Sequence, residues 1–144
     1  MTLEKNLGYE FADKKLLERA LTRKAFALEL KQKREFCEDQ EIYRTLGDAV
    51  LKAVLIDLLI KKGCNTREEL TNNKKSLERE EELAKISERL GIGAFLKLGI
   101  GERKQKAEEE PYVLAETLEA VVGAIYLDGG FEVVKQLIKK WFRF

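Results

Sequence analysis

Apolar residues recur along the chain at helical spacing, and two stretches are apolar almost all the way round. The first, Glu41 to Ile60, carries Ile42, Leu46, Ala49, Val50, Leu51, Ala53, Val54, Leu55, Leu58 and Leu59. A helix with that pattern belongs in the centre of a domain. One polar stripe interrupts it. Glu41, Arg44, Thr45, Asp48 and Lys52 fall at three- and four-residue steps, which stack side chains on one helical face. The second stretch, Tyr112 to Asp128, carries one small polar patch: Glu116 and Glu119, three residues apart, with Thr117 beside them.

The remaining elements are shorter. Leu7 to Phe11 reads as a structured opening turn, and Asp13 caps a helix reaching Leu21 with Leu16, Leu17, Ala20 and Leu21 as its stripe. A second short helix starts near Thr22 and buries Ala25, Phe26 and Leu28; Lys31 to Gln40 reads as a polar loop. Lys61, Lys62 and Gly63 close the first apolar helix. Thr66-Arg67-Glu68-Glu69 has the form of a capping box, opening a helix that Asn72 and Asn73 break or bend.

Leu77, Leu83, Ala84, Ile86 and Leu90 mark another helix, closed by Gly91. Gly91 to Gly101 is a connection anchored by Phe95, Leu96 and Leu98, and Glu102 to Pro111 is charged and expected to be mobile. Gly129 and Gly130 stop the second apolar helix. A final helix buries Val133, Val134, Leu137, Ile138, Trp141 and Phe142, with Lys135, Lys139, Lys140 and Arg143 on a solvated outer face. Neither strand alternation nor hairpin turn chemistry nor an internal repeat is present. The fold predicted is all-α, in a single domain over residues 1–144.

Composition narrows the chemistry. With 144 residues, 44% hydrophobic and 37% charged, the chain is one soluble domain large enough for a real core. The N-terminus has no apolar leader, and the run Ala53 to Ile60 is broken by Asp57 and too short to span a bilayer, so a cytoplasmic chain without membrane attachment is expected. A net charge of +1 means that any basic surface is local. The chain has no histidine, and Cys37 and Cys64 form no CxxC motif, which removes the usual zinc sites and every histidine-based triad. Free thiols are the default for the two cysteines.

Catalysis, if present, must therefore run on carboxylates, lysines or metal. Two core helices, each with acids on one face, can bring Asp48, Glu116 and Glu119 together, and an all-oxygen cluster suits Mg2+ or Mn2+. The same acids can equally be neutralised by Arg44 and Lys52 in an interhelical salt-bridge network. Periodicity leaves both arrangements open.

The motifs themselves carry a resemblance. Glu41-Ile42-Tyr43-Arg44-Thr45-Leu46-Gly47-Asp48-Ala49-Val50-Leu51 is similar to the signature E-R-L-E-F-L-G-D-A-V-L of the ribonuclease III endonuclease domain. Leu114 to Gly130 resembles that family's L-A-D-x-x-E-A-x-x-G-A-I-Y-L-D-G-G, and Gly8 to Phe11, Leu16 to Thr22 and Leu96 to Glu102 resemble its G-Y-x-F, L-L-x-x-A-L-T and L-G-x-G-E segments. The likeness covers nearly the whole chain in order. It implies a ribonuclease III endonuclease-domain-like helical fold and a Mg2+-dependent endoribonuclease that hydrolyses double-stranded RNA as a homodimer, with no organic cofactor. By position Asp48 and Glu119 match catalytic, metal-binding acids, Glu116 stands at a metal-binding aspartate, and Glu41 matches the first signature glutamate.

Several positions depart from the motifs. Arg44 replaces the second signature glutamate, Glu116 replaces aspartate, and Thr22-Arg23-Lys24-Ala25 stands at T-H-R-S. Arg67-Glu68 stands at the E-G that precedes L-T. The double-stranded-RNA-binding domain that usually follows is not expected before the chain stops at Phe144, which resembles mini-ribonuclease III in size. That subgroup also lacks the acids at the Arg44 and Glu116 positions yet cleaves RNA, so Asp48 and Glu119 are expected to suffice. The alternative is a catalytically impaired module that binds RNA or protein, with Arg44 neutralising the acidic cluster.

Overall fold

The computed structural model describes residues 2–144. Among these residues there is no β-strand; one isolated parallel bridge joins Thr22 and Lys97. The chain runs through α1 (Leu3–Leu7), α2 (Lys14–Ala20), α3 (Lys24–Gln32), α4 (Glu41–Lys61), α5 (Arg67–Leu77), α6 (Glu80–Arg89), α7 (Ile100–Lys104), α8 (Pro111–Gly129) and α9 (Phe131–Trp141). The all-α expectation holds.

α4 and α8 form the centre. Val50, Leu51, Val54, Leu55 and Leu58 of α4 are buried with Leu118, Val121, Val122 and Ile125 of α8. α6 lays Leu83, Ala84 and Ile86 on α8, and α9 adds Val134, Leu137, Ile138 and Trp141. Burying side chains of this kind from two long helices supplies most of the folding drive. α1 is held at the base, where Trp141 Nε1 donates to the Leu7 carbonyl at 3.0 Å. Asp128, at the end of α8, accepts from Tyr9 Oη at 2.5 Å and from the Ala12 and Asp13 amides at 2.9 and 3.0 Å.

The α4–α8 contact is closest at two glycines. A Cβ placed on Gly47 would fall on the Glu119 carbonyl, and one placed on Gly123 would fall on the Tyr43 carbonyl. Only hydrogen at both positions allows this backbone-to-backbone approach.

Local signals mostly act as read. Asp13 caps α2, its Oδ1 accepting from Lys15 N at 3.0 Å, and Thr66 caps α5 by accepting from Glu69 N at 3.1 Å. Other expectations need correction. Asn72 and Asn73 do not break α5, which continues through both to Leu77; the Thr66 cap and the Lys74–Glu78 bond at 2.8 Å support its two ends. Glu102 to Pro111 is ordered helical structure, with a helical turn at Ala107–Glu109 after α7 and Ala107 itself buried.

Leu28 is exposed because α3 packs along only one edge, chiefly on α7, and Ile42 and Ala53 lie on the outer side of α4. Phe95 is about a third exposed and Leu98 is buried, so Leu98 is the firmer anchor of its connection. Lys135 is not free on the surface, since it pairs with Asp57 at 3.0 Å. Cys37 and Cys64 are free thiols.

Candidate active site

The glycine crossing positions the acids. Asp48 follows Gly47 on α4, and Glu119 lies one turn before Gly123 on α8, so the two carboxyls are brought side by side at the closest point of the helix pair. Burial, a proton shared with Asp48 and the Asp48 charge push the Glu119 carboxyl up from 4.5 to about 8, against the opposing charges of Lys52 and Arg44. Asp48 goes the other way. Burial alone would raise it, but the hydrogen bond from Glu119 and the Lys52 ammonium together hold it below the usual carboxylate range. The two carboxyls thus titrate as a coupled pair, the last proton being harder to remove than from an isolated acid.

Lys52, one turn after Asp48, donates to Asp48 Oδ1 at 2.7 Å and lies 3.6 Å from Glu78 Oε2. Glu78 Oε1 in turn accepts from Lys74 Nζ at 2.8 Å. On the other side of the site stands Glu116. Its Oε1 accepts from Arg23 Nη1 and its Oε2 from Arg44 Nη2, both at 2.8 Å. Arg23 is fixed further by Glu102 Oε2 at 3.1 Å and Gln40 Oε1 at 3.2 Å, and its guanidinium lies 6.0 Å from the Tyr112 ring. Gln40 is buried and braced by the Ala20 carbonyl at 2.7 Å and by Thr117 Oγ1 at 3.4 Å. Arg44 Nε is buried without a hydrogen-bond partner.

Asp48 and Glu119 are therefore brought together, while Glu116 is engaged by two arginines. Glu41 lies at the exposed start of α4, 3.5 Å from Lys24 Nζ. Among the described residues no three carboxylate or thiol side chains converge tightly enough to hold a metal ion. Sequence reasoning missed Arg23, Gln40 and Glu102. The signal for Arg23 was the arginine at the histidine of T-H-R-S; the signal for Glu102 was its place in L-G-x-G-E. Gln40 had none, being the last residue of a polar loop.

Two adjacent carboxyls, with the half-exposed Lys52 on one of them, form an all-oxygen donor pair of the kind a hard divalent cation prefers. The raised Glu119 should make stability depend on pH. Its folded value exceeds its ordinary one, so its contribution is complete below pH 4.5 and lost as pH rises through about 8. Asp48, lowered, contributes above its ordinary value of 3.8 and loses that contribution in more acid solution. Without metal the melting temperature should fall between pH 5 and 9 in the parent chain and stay flat over that range in Glu119→Gln. A parent curve as flat as the variant's would contradict the pairing.

Comparison with known proteins agrees with this architecture. A family model described as Ribonuclease-III-like matches residues 13–143. Ribonuclease 3 of Bdellovibrio bacteriovorus is 39% identical over 142 residues, covering 98% of this chain and 59% of that protein. Ribonuclease 3 of Nitratiruptor sp. is 40% identical over 139 residues, covering 95% of this chain and 58% of that protein. The chain thus spans less than two thirds of the length of these curated relatives. Two solved structures of the nuclease domain of ribonuclease III from Campylobacter jejuni, each 34% identical, superpose with TM-scores of 0.88 and 0.85, covering 98% of this chain and 94% and 91% of theirs. One of them is described as flexible in a region involved in dimer formation. With the motif helices, the glycine crossing and these matches in agreement, the chain belongs to the ribonuclease III family and has the fold of that family's nuclease domain.

Proposed function

We propose that this chain is a divalent-metal-dependent endoribonuclease that cleaves double-stranded RNA as a homodimer. The observation that supports this reading best is the juxtaposition of Asp48 and Glu119 at the α4–α8 crossing. These two residues would hold Mg2+ or Mn2+. When bound, such an ion polarises a phosphodiester and lowers the pKa of its water. The chain's own groups prepare the place. Lys52 is half-exposed and could leave Asp48 Oδ1 free, and Glu119 would give its proton to solvent on becoming a ligand. The crossing keeps both carboxyls on packed helices rather than on loops, which limits their movement.

The rival reading is a binding module in which Arg44 pairs with Glu119 or Glu116 and no metal enters, and the Arg44–Glu116 bond at 2.8 Å is compatible with it. The enzyme reading is favoured because among the described residues no arginine bonds Asp48, whose partner is the half-exposed Lys52. Cleavage of a long RNA duplex in Mg2+, with an EDTA control, is the direct test. No cleavage under any divalent metal would defeat the enzyme reading.

A second copy is supported by apolar side chains left uncovered around the site. Ile42 at the start of α4, Leu28 on α3, Ile100 on α7 and Tyr112 at the start of α8 are all exposed. Exposed groups of this size, gathered on neighbouring elements, mark an interaction surface. Sedimentation at micromolar concentration should report a dimer, and Ile42→Asp should shift it towards monomer with helical content unchanged. A monomeric parent chain would remove the dimer from this proposal.

A further inference from the structure

Three positions at which this chain departs from the motifs it resembles meet in space. Arg23 stands at a histidine, Arg44 at a glutamate and Glu116 at an aspartate. In the fold the two arginines close on Glu116, one on each carboxylate oxygen, at 2.8 Å each. The clamp is built in. Arg23 is largely buried and tied to Glu102 and Gln40, and Gln40 is anchored in the core by Ala20 and Thr117. Charge-assisted bonds of this kind are short and strong, and a planar guanidinium holds its direction.

We propose that the site takes a single divalent cation, on Asp48 and Glu119 as its only carboxylate ligands, and that Arg23 and Arg44 hold Glu116 outside the coordination sphere as a fixed part of the wall. The proposal rests on the endonuclease reading of the same site and specifies how this chain carries it out. A cation recruiting Glu116 would have to displace two donors and sit against their positive charge. Asp48 faces no such obstacle, because its partner Lys52 is half-exposed and free to swing into solvent. The Arg44 guanidinium thus provides a permanent, covalently attached positive charge on the side where a further ion would otherwise bind.

The test is Mn2+ binding to the full chain, followed through the spin-resonance signal of free Mn2+, with helical content checked for each variant. The parent should bind one Mn2+ per chain. Asp48→Asn and Glu119→Gln should each weaken binding at least about tenfold. Glu116→Gln should leave Mn2+ affinity at the parent value while lowering the melting temperature, because the two arginines lose their charged partner. Arg44→Glu should add a second Mn2+ per chain. If Glu116→Gln loses Mn2+ as steeply as Asp48→Asn while remaining folded, Glu116 is a ligand and the single-cation assignment is overturned, with the endonuclease reading intact. A parent chain that neither binds Mn2+ at millimolar concentration nor cleaves duplex RNA overturns both.

Discussion

Asp48→Asn and Glu119→Gln should each reduce Mg2+-dependent cleavage of duplex RNA by about a thousandfold or more. A bound cation contributes several kcal/mol of transition-state stabilisation, and about 4 kcal/mol corresponds to about a thousandfold in rate. Each substitution keeps the shape of the side chain and removes one of only two carboxylates that meet at the crossing. The chain should stay folded, because an amide at residue 119 keeps the size and hydrogen-bonding capacity of the carboxyl at a site that disfavours its charge. Single-turnover cleavage at saturating enzyme separates this from weaker RNA binding. Parent-like rates in Glu119→Gln would exclude the pair as the reaction centre.

Gly47→Ala should destabilise the fold by about 3 kcal/mol or more, a fall of about 10 °C in melting temperature for a chain of this length. The added methyl meets the Glu119 carbonyl, which is backbone and cannot turn away. The helices must separate, and the same movement pulls Asp48 away from Glu119. Gly47→Ala should therefore lose metal affinity together with stability, although residue 47 has no side chain at the site. Gly101→Ala is the control. Nothing lies within 4 Å of a Cβ there, and the change should be neutral or slightly stabilising. Equal melting temperatures for the two variants would disprove the close crossing.

Much of the frame was legible in the sequence because α4 and α8 announce themselves by apolar residues on nearly every face. Asp13, Thr66 and the glycines at the helix ends were readable for the same reason: each acts on backbone within a few residues of itself. Errors arose where distant partners decide. Glu102 to Pro111 reads as mobile from its charge, yet Glu102 accepts both the Gly99 amide and Arg23. Leu28 and Ile42 read as core, but about half or more of each side chain is left exposed by the described residues.

The site divides in the same way. Helical spacing placed Glu116 and Glu119 on one face and could not say which would meet Asp48. That choice depends on Arg23, which comes from the segment before α3 and is pinned by the Thr22–Lys97 bridge. No periodic pattern links Arg23 to α8. The motif departures held that information, but its meaning emerged only in three dimensions.

The α4–α8 pair also sets the order of events as the chain leaves the ribosome. α4 emerges early with Val54, Leu55 and Leu58 ready for burial, whereas α8 follows only after α5, α6 and α7. Until then the most apolar helix of the first half has no partner, and a nascent chain in that state is a target for chaperones and for aggregation. Asp48 waits with it. The two halves of the acidic pair meet only when the core closes, so no partly folded chain has both acids in place.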